Sequence, residues 1–330
     1  MGNTLWHYVS PRRTEIVSLR AGAAVFFLSG TARAAESTMS SKATQIAEVT
    51  GRTRLLALVG DPIHAAKSPQ LFNPLFVTQG RDAICIPMQV PADGLAAFVT
   101  GIRQVANLDG LLVTMPHKTR MVELVDELHP SARAVGAVNV VRDVHGRWTG
   151  AMFDGWGCVL GMRWEGHDPR GRRVFLVGAG GAGSAIAFAV AEAGALALTI
   201  FDVDEARGQA LANAVGALVP ECETRFGNLD PTGHDIIINA TPLGMRAGDA
   251  LPVDPMLLPG GSTVVDVITQ PDPTPLCQAA LSRGCRVQSG RAMHEGQAVY
   301  AARFLDLDYW PAGRPRIALP GPQGRGHERN

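Results

Sequence analysis

Six consecutive residues, Gly178-Ala179-Gly180-Gly181-Ala182-Gly183, carry the clearest chemistry in this chain. They follow the apolar run 174–177 and lead into an alanine-rich stretch, 183–193, with a helical pattern. A G-x-G-x-x-G spacing where a strand turns into a helix suits the pyrophosphate of a dinucleotide. The first glycine permits the tight turn, the second lets the backbone approach the phosphates, and the third lets helix and strand lie close. The helix N-terminus then presents free N–H groups and the positive end of its dipole. The next apolar run, 198–201, ends at Asp202. A carboxylate at that point can bond a ribose 2′-OH and repels a 2′-phosphate, which tilts the expected cofactor toward NAD. Arg207, five residues on, keeps NADP open.

Other chemistries find less support. The five cysteines (Cys85, Cys158, Cys222, Cys277, Cys285) include no C-x-x-C pair, so they read as free thiols in a reducing compartment, without a disulfide frame or zinc site. His117 and His294 have no metal-ligand partner at useful spacing and read as surface or packing residues; no metal is expected. Thirty basic residues balance thirty acidic ones, which gives no electrostatic reason for nucleic acid or an anionic membrane as partner. The expected partner is a small molecule, and the chain is expected to act as a monomer or homodimer.

The elements that must position such a turn alternate along the chain. Strands are expected at 55–59, 83–90 and 110–113, with helices through Leu71, Leu75 and Phe76, at 95–105 and at 118–128. Residues 137–142 and 147–149 flank Asp143-Val144-His145-Gly146, a hairpin turn. After a Gly-containing break at 171–173 come strand 174–177, helix 183–193, strand 197–201, helix 205–215 and strands 235–239 and 262–267. Helix 274–283, strand 286–288 and a helix from 292 to 305 complete the series. Strand–helix alternation implies βαβ units and a mostly parallel sheet, an α/β protein. With 46% apolar and 18% charged residues, 330 residues suffice for two buried cores. Residues 1–50 read as an unstructured extension, with a weak secretory signal (Arg12, Arg13 and Arg20 before the apolar run 21–28) or a start at Met39 as alternatives. The Pro-, Gly- and Arg-rich tail 311–330 is expected to be disordered. The apolar run is too short to span a membrane, and a cytoplasmic location is expected.

Further segments, in order over residues 53 to 307, together resemble the shikimate dehydrogenase family. Gly60-Asp61-Pro62-Ile63 with Lys67-Ser68-Pro69 and Asn73 resembles G-x-P-I-x-x-S-x-S-P-x-x-H-N. Val113-Thr114-Met115-Pro116-His117-Lys118 resembles V-T-x-P-x-K, and Gly136-Ala137-Val138-Asn139 matches G-A-V-N. Asp154-Gly155-Trp156-Gly157 resembles the end of N-T-D-G-x-G. Asn239-Ala240-Thr241-Pro242-Leu243-Gly244-Met245 resembles N-A-T-x-x-G-M, and Thr274-Pro275-Leu276 matches T-P-L. Gly290 with Met293 and Gln297 resembles the last substrate helix. The resemblance implies an N-terminal α/β substrate-binding domain at 51–155, completed by a C-terminal helix at 292–307. A Rossmann dinucleotide-binding domain at 156–291 follows, with a cleft between the two.

It also implies site residues. Lys118 and Asp154 would be the catalytic pair, since oxidising a secondary alcohol needs a group that takes the hydroxyl proton as the hydride leaves. Asp154 could in addition cap a helix beginning at Gly155. Ser68, Thr114, Asn139 and Gln297 would hold the substrate. Asn239, Thr241, Val267 and Gly290 would join the glycine turn and Asp202 at the cofactor. The implied reaction is hydride transfer between NAD or NADP and a cyclic hydroxy acid such as shikimate, 3-dehydroshikimate or quinate, in the pathway to chorismate and the aromatic amino acids. Departures gather on the substrate side: Ala66 for the first serine, Phe72 for the histidine, Met152-Phe153 for Asn-Thr and Thr269 for the tyrosine. They leave open another small hydroxy acid as substrate, or a dinucleotide-binding regulator without turnover.

Overall fold

The structure, a computed structural model, describes residues 48–64, 66–319 and 321. All but the last three residues of the expected 1–50 extension lie outside them. The described chain forms two six-stranded sheets.

In the first, β1 (Arg54–Gly60) lies between β2 (Ala83–Gln89) and β3 (Leu108–Val113), all parallel. Its apolar run is buried on both faces, as a parallel strand covered by crossover helices requires. Those helices are α1 (Ser68–Thr78) and α2 (Leu95–Ile102). The edge adds β4 (Glu127–Leu128), α3 (Pro130–Val135), β5 (Val140–Val144) and β6 (Arg147–Ala151), in strand order β2-β1-β3-β5-β6-β4. β5 and β6 pair as the expected hairpin, with His145 and Gly146 both at positive φ (55° and 81°), as a tight two-residue turn demands.

The helix expected at 118–128 is a correction. The segment is a 3₁₀ turn at Arg120–Leu124 followed by β4. Arg103 holds the Leu124 carbonyl at 2.8 Å and the Asp126 carboxylate at 3.0 Å, while Asp126 accepts the Trp148 N–H at 2.6 Å. These tertiary bonds outweigh a weak helical propensity.

Helix α4 (Asp154–Trp164) leads to the second sheet, all parallel, with strands β7 (Arg173–Val177), β8 (Ala197–Phe201), β9 (Glu223–Phe226), β10 (Ile236–Asn239), β11 (Thr263–Asp266) and β12 (Arg286–Gln288). Its helices are α5 (Gly181–Glu192), α6 (Glu205–Leu218) and α7 (Pro275–Ser282). The order β12-β11-β10-β7-β8-β9 reverses direction at β7, so a crevice opens at the carboxyl ends of β7 and β10, where open α/β sheets bind ligands. β9, a short edge strand reading Glu-Thr-Arg-Phe, has too little apolar content for its sequence to announce it.

α8 (Gly290–Phe304) returns against α4. The two cross with backbone against backbone: a Cβ on Gly157 would stand 2.4 Å from the Gln297 nitrogen, and one on Gly296 would stand 2.4 Å from the Gly157 oxygen. One buried apolar cluster runs from Leu56 and Leu58 in the first sheet through α4, α5 and α8 to Val174 and Leu176 in the second. The expected disorder of 311–330 is corrected for its first part. Arg314 pairs with Glu165 at 2.5 Å and Glu295 at 2.8 Å, and the Pro315 carbonyl accepts from the Trp164 indole at 3.2 Å. A ligand set spread over α4 and α8 ties this segment down despite its composition. Among the described residues no helix is long and apolar enough to cross a membrane.

Candidate active site

Asp154 and Lys118 meet at the first turn of α4. Lys118 Nζ donates to Asp154 Oδ2 at 2.6 Å, with 17% of the lysine side chain exposed and 1% of the aspartate. The other carboxylate oxygen accepts from Asn139 Nδ2 at 2.7 Å, and Asn139 Oδ1 accepts the Phe153 N–H at 3.0 Å. Asp154 is therefore fixed on both oxygens. It is the first residue of α4 rather than its cap, a position that Phe153 takes without a side-chain hydrogen bond. Asn139, expected at a ring hydroxyl, spends its amide on aligning Asp154 while still lining the cavity described next.

Lys118 opens into a cavity of about 190 Å³ between the carboxyl ends of β1 and β3, the start of α1, and α8. Ser68, Thr114, Asn139 and Gln297 all line it. Thr269, which stands for the family's tyrosine, also lines it, as do Lys67 and His294, which the sequence did not assign to the substrate. The spacing could have found His294, which sits one helical turn before Gln297 on the same face of α8. His294 is thus not a simple packing residue, whereas His117 is: it is buried with Nε2 2.7 Å from the Val90 carbonyl. Two departures prove to be core residues. Phe153 stacks on Tyr300 at 5.6 Å between ring centroids and lies edge-on to Phe304 at 5.5 Å. Met152 is fully buried on the first-sheet side.

The glycine turn joins β7 to α5. Gly178 has φ of +101°, and a Cβ on Gly183 would stand 1.9 Å from the Gly178 carbonyl oxygen, so neither position admits a side chain. Gly180 and Gly181 face open space, a cradle that a side chain would fill. With the unpaired first-turn N–H groups that any helix start leaves, the turn fits a dinucleotide pyrophosphate. α4 lies hard against α5 here, since a Cβ on Gly155 would stand 1.9 Å from the Ala185 oxygen. Ala185 is about 6 Å along the axis from the start of α5, so the residue after Asp154 packs on α5 about one turn beyond the glycine cradle.

Three expected cofactor residues have other work. Asp202 is buried; its oxygens accept from Ala179 N (2.6 Å), Asp204 N (2.8 Å) and the Arg207 guanidinium (2.6 Å). Burial alone would raise its pKa, but Arg207 and the two N–H groups outweigh it and hold the carboxyl below the usual carboxylate range. The carboxylate expected to select NAD is therefore taken up by protein, and the half-exposed Arg207 stands beside it. Asn239 is fully bonded, giving to Leu243 O and Asp266 and accepting from the Thr241 N–H (3.0 Å) and hydroxyl (2.7 Å). It shapes the 239–244 turn. Gly290 is a close-approach position, where a Cβ would stand 2.4 Å from the Val267 oxygen. Val267 and Thr241 are partly buried near the crevice. A larger cavity of about 470 Å³, among Arg170, Arg172 and Arg286, opens at the amino ends of the second sheet's strands, away from this chemistry. Among the described residues no group of three or more His, Cys, Asp or Glu could hold a metal.

Residues 58–141 match the model of the shikimate dehydrogenase substrate binding domain. Shikimate dehydrogenase (NADP⁺) of Rubrobacter xylanophilus is 38% identical over 284 residues, covering 84% of this chain and 99% of that relative. The structure of shikimate 5-dehydrogenase from Listeria monocytogenes, in complex with shikimate and NAD, superposes with a TM-score of 0.74 at 30% identity, covering 80% of this chain and 95% of that one. Quinate dehydrogenase from Corynebacterium glutamicum, in complex with NAD, gives 0.70 at 31% identity, covering 77% and 93%.

Proposed function

The chain belongs to the shikimate dehydrogenase family, and from that premise we propose that it is an NAD(P)-dependent dehydrogenase interconverting a cyclic hydroxy acid, most simply shikimate or quinate, and its ketone. The observation that carries this reading is the 2.6 Å Lys118–Asp154 contact at a substrate-sized cavity, on a helix packed directly against the one that opens from the glycine cradle.

The nicotinamide of a bound dinucleotide supplies the hydride acceptor or donor. Every other requirement falls on side chains of the chain itself. In the reducing direction the Lys118 ammonium gives a proton to the carbonyl oxygen as the carbon gains hydride; in oxidation the hydroxyl proton returns to Lys118. Asp154, held by Asn139, fixes where Lys118 Nζ points, and that orientation is what makes proton transfer efficient. Ser68, Thr114 and Gln297 supply hydrogen bonds that hold a polyol acid in one pose. The glycine turn, with Thr241 and Val267 at the crevice, holds the dinucleotide. Five buried free thiols suit the reducing cytoplasm.

The deciding experiment is reduction of NAD⁺ and NADP⁺ by the purified protein with shikimate and with quinate. Turnover of at least one is expected, and inertness toward both defeats the reading. Cofactor choice has its own test. With Asp202 neutralised by Arg207, NADP is accepted, and Arg207→Ala should raise KM for NADP⁺ about tenfold through loss of a charge-assisted contact. KM for NAD⁺ should move by less than about threefold, and an equal change in both would remove Arg207 from the 2′-phosphate.

A further inference from the structure

Two positions where this chain departs from its family lie beside one another in the cavity wall. Ala66 and Thr269 stand where the family places a serine and a tyrosine, and both line the cavity. The wall at that point is completed by Lys67 and His294, which also border an adjoining opening together with Thr269. Lys67 comes from the residue preceding α1, and His294 from the second turn of α8.

Among the described residues neither has a charged or hydrogen-bonding side-chain partner. Lys67 makes no ion pair among the described residues, and Nε2 of His294 is buried without a hydrogen-bond partner. A buried imidazole nitrogen left unbonded is costly, and native proteins rarely keep one without a use. The χ2 torsion of histidine is soft, so a group entering the cavity can bring the ring into a hydrogen bond.

The charges point to the kind of group. Asp154 is engaged by Lys118 and Asn139. The charged groups near His294 are Lys67, Asp154 and Glu295, the last of them bonded to Arg291 and Arg314. Burial holds the His294 imidazole below its ordinary pKa, against the opposing pull of the Glu295 and Asp154 carboxylates and with a smaller push from Lys67. The lining therefore carries two ammonium groups against one carboxylate, an excess of one positive charge at Lys67. The start of α1 adds the positive end of its dipole on the same side.

Building on the dehydrogenase reading, we propose that Lys67 and His294 form the clamp for the substrate's acid group, with Ser68, in place of the hydroxyl absent at Ala66 and of the longer tyrosine side chain that Thr269 replaces. Lys67 pairs with the carboxylate by charge, and His294 donates a hydrogen bond to it. The substrate class is a compact hydroxy acid with a single carboxylate, selected over its neutral ester or amide. Lys67 and His294 are substrate-binding residues that set specificity; the proton chemistry stays with Lys118.

The test compares shikimate with methyl shikimate in the wild-type protein, Lys67→Met, His294→Leu and His294→Gln. Loss of a charge-assisted contact predicts that Lys67→Met raises KM for shikimate about tenfold to a hundredfold. The corresponding rise for the ester is less than about threefold, so the acid-over-ester ratio of kcat/KM collapses, while kcat and the Kd for NADP⁺ stay near wild type. His294→Leu should raise KM for the acid about tenfold, and His294→Gln, which keeps an N–H near the Nε2 position, should recover most of that. An unchanged acid-over-ester ratio in both Lys67→Met and His294→Leu overturns the clamp. A wild-type protein that turns over neither shikimate nor quinate defeats the reaction reading, and calorimetric titration with shikimate then judges the clamp. Binding that weakens in both variants supports it. Wild-type binding that is absent, or equal in the variants, overturns it.

Discussion

Lys118→Met is expected to lower kcat by about 10³-fold, in the range that loss of a positioned proton donor produces, while leaving the Kd for the dinucleotide within about twofold. The separation follows from the geometry. Lys118 reaches the cavity and Asp154 but no part of the glycine turn. The same substitution leaves the buried Asp154 carboxylate with Asn139 as its remaining side-chain donor, so a cost in stability is expected as well. Breaking a buried pair by removing one partner costs about 3–5 kcal/mol when both groups are dry; the partly exposed lysine places this pair toward or below the lower figure. Steady-state kinetics, dinucleotide titration and thermal unfolding separate the three effects. A variant that keeps more than a tenth of wild-type kcat would remove Lys118 from the proton transfer. Lys118→Arg keeps the charge and should remain slow, because a guanidinium neither gives up its proton readily nor fits the space of an ammonium.

Gly155→Ala carries the second large effect, and it reaches the site through the backbone. The added Cβ would fall 1.9 Å from the Ala185 oxygen, and neither main chain can yield without moving a whole helix. α4 carries Asp154 at its first residue and α5 carries the glycine cradle at its start, so separating them shifts the carboxylate that orients Lys118 away from the dinucleotide. Overpacking of this kind costs about 3 kcal/mol, which should appear as a fall in thermal midpoint of roughly 6 °C or more. kcat should fall at least about tenfold even where the protein remains folded, since misplacement by about 1 Å is enough to cost a hundredfold. An alanine variant with wild-type midpoint and rate would show that the two helices are not tied at this point.

These two residues differ in how plainly the sequence announces them. Lys118 closes the segment Thr114 to Lys118, and the resemblance of that segment to a known motif is enough to name its role. Gly155 lies beside Asp154 with nothing local to reveal that another helix crosses within contact of its Cα. The same divide runs through the site. The turn 178–183 was legible because its requirements are local: a strand before, a helix after, and glycines where a Cβ would strike backbone. Asp202 was legible as a position and misleading as a role, because its neighbours Ala179, Asp204 and Arg207 converge on it only in the fold. Met152 and Phe153 looked like losses from a substrate site. Burial shows them to be core, Phe153 packed on α8 and Met152 on the first-sheet side.

By itself the sequence determined the strand–helix alternation, the dinucleotide turn and, through resemblance, the identities of Lys118 and Asp154. These rest on periodicity and on short motifs, which act over a few residues. It misjudged 118–128, where bonds from Arg103 and Trp148 overrule helical propensity, and the start of the tail, where Arg314 finds carboxylates from two helices. Only the tertiary structure decided which side chains share a cavity. Lys67 and His294 are more than 220 residues apart, and the neighbourhood of neither one reveals that the other shares its cavity wall. The fold sets them in one wall because α8 returns across α4 on a glycine–glycine contact, and that crossing is a property of two helices which neither sequence segment contains alone.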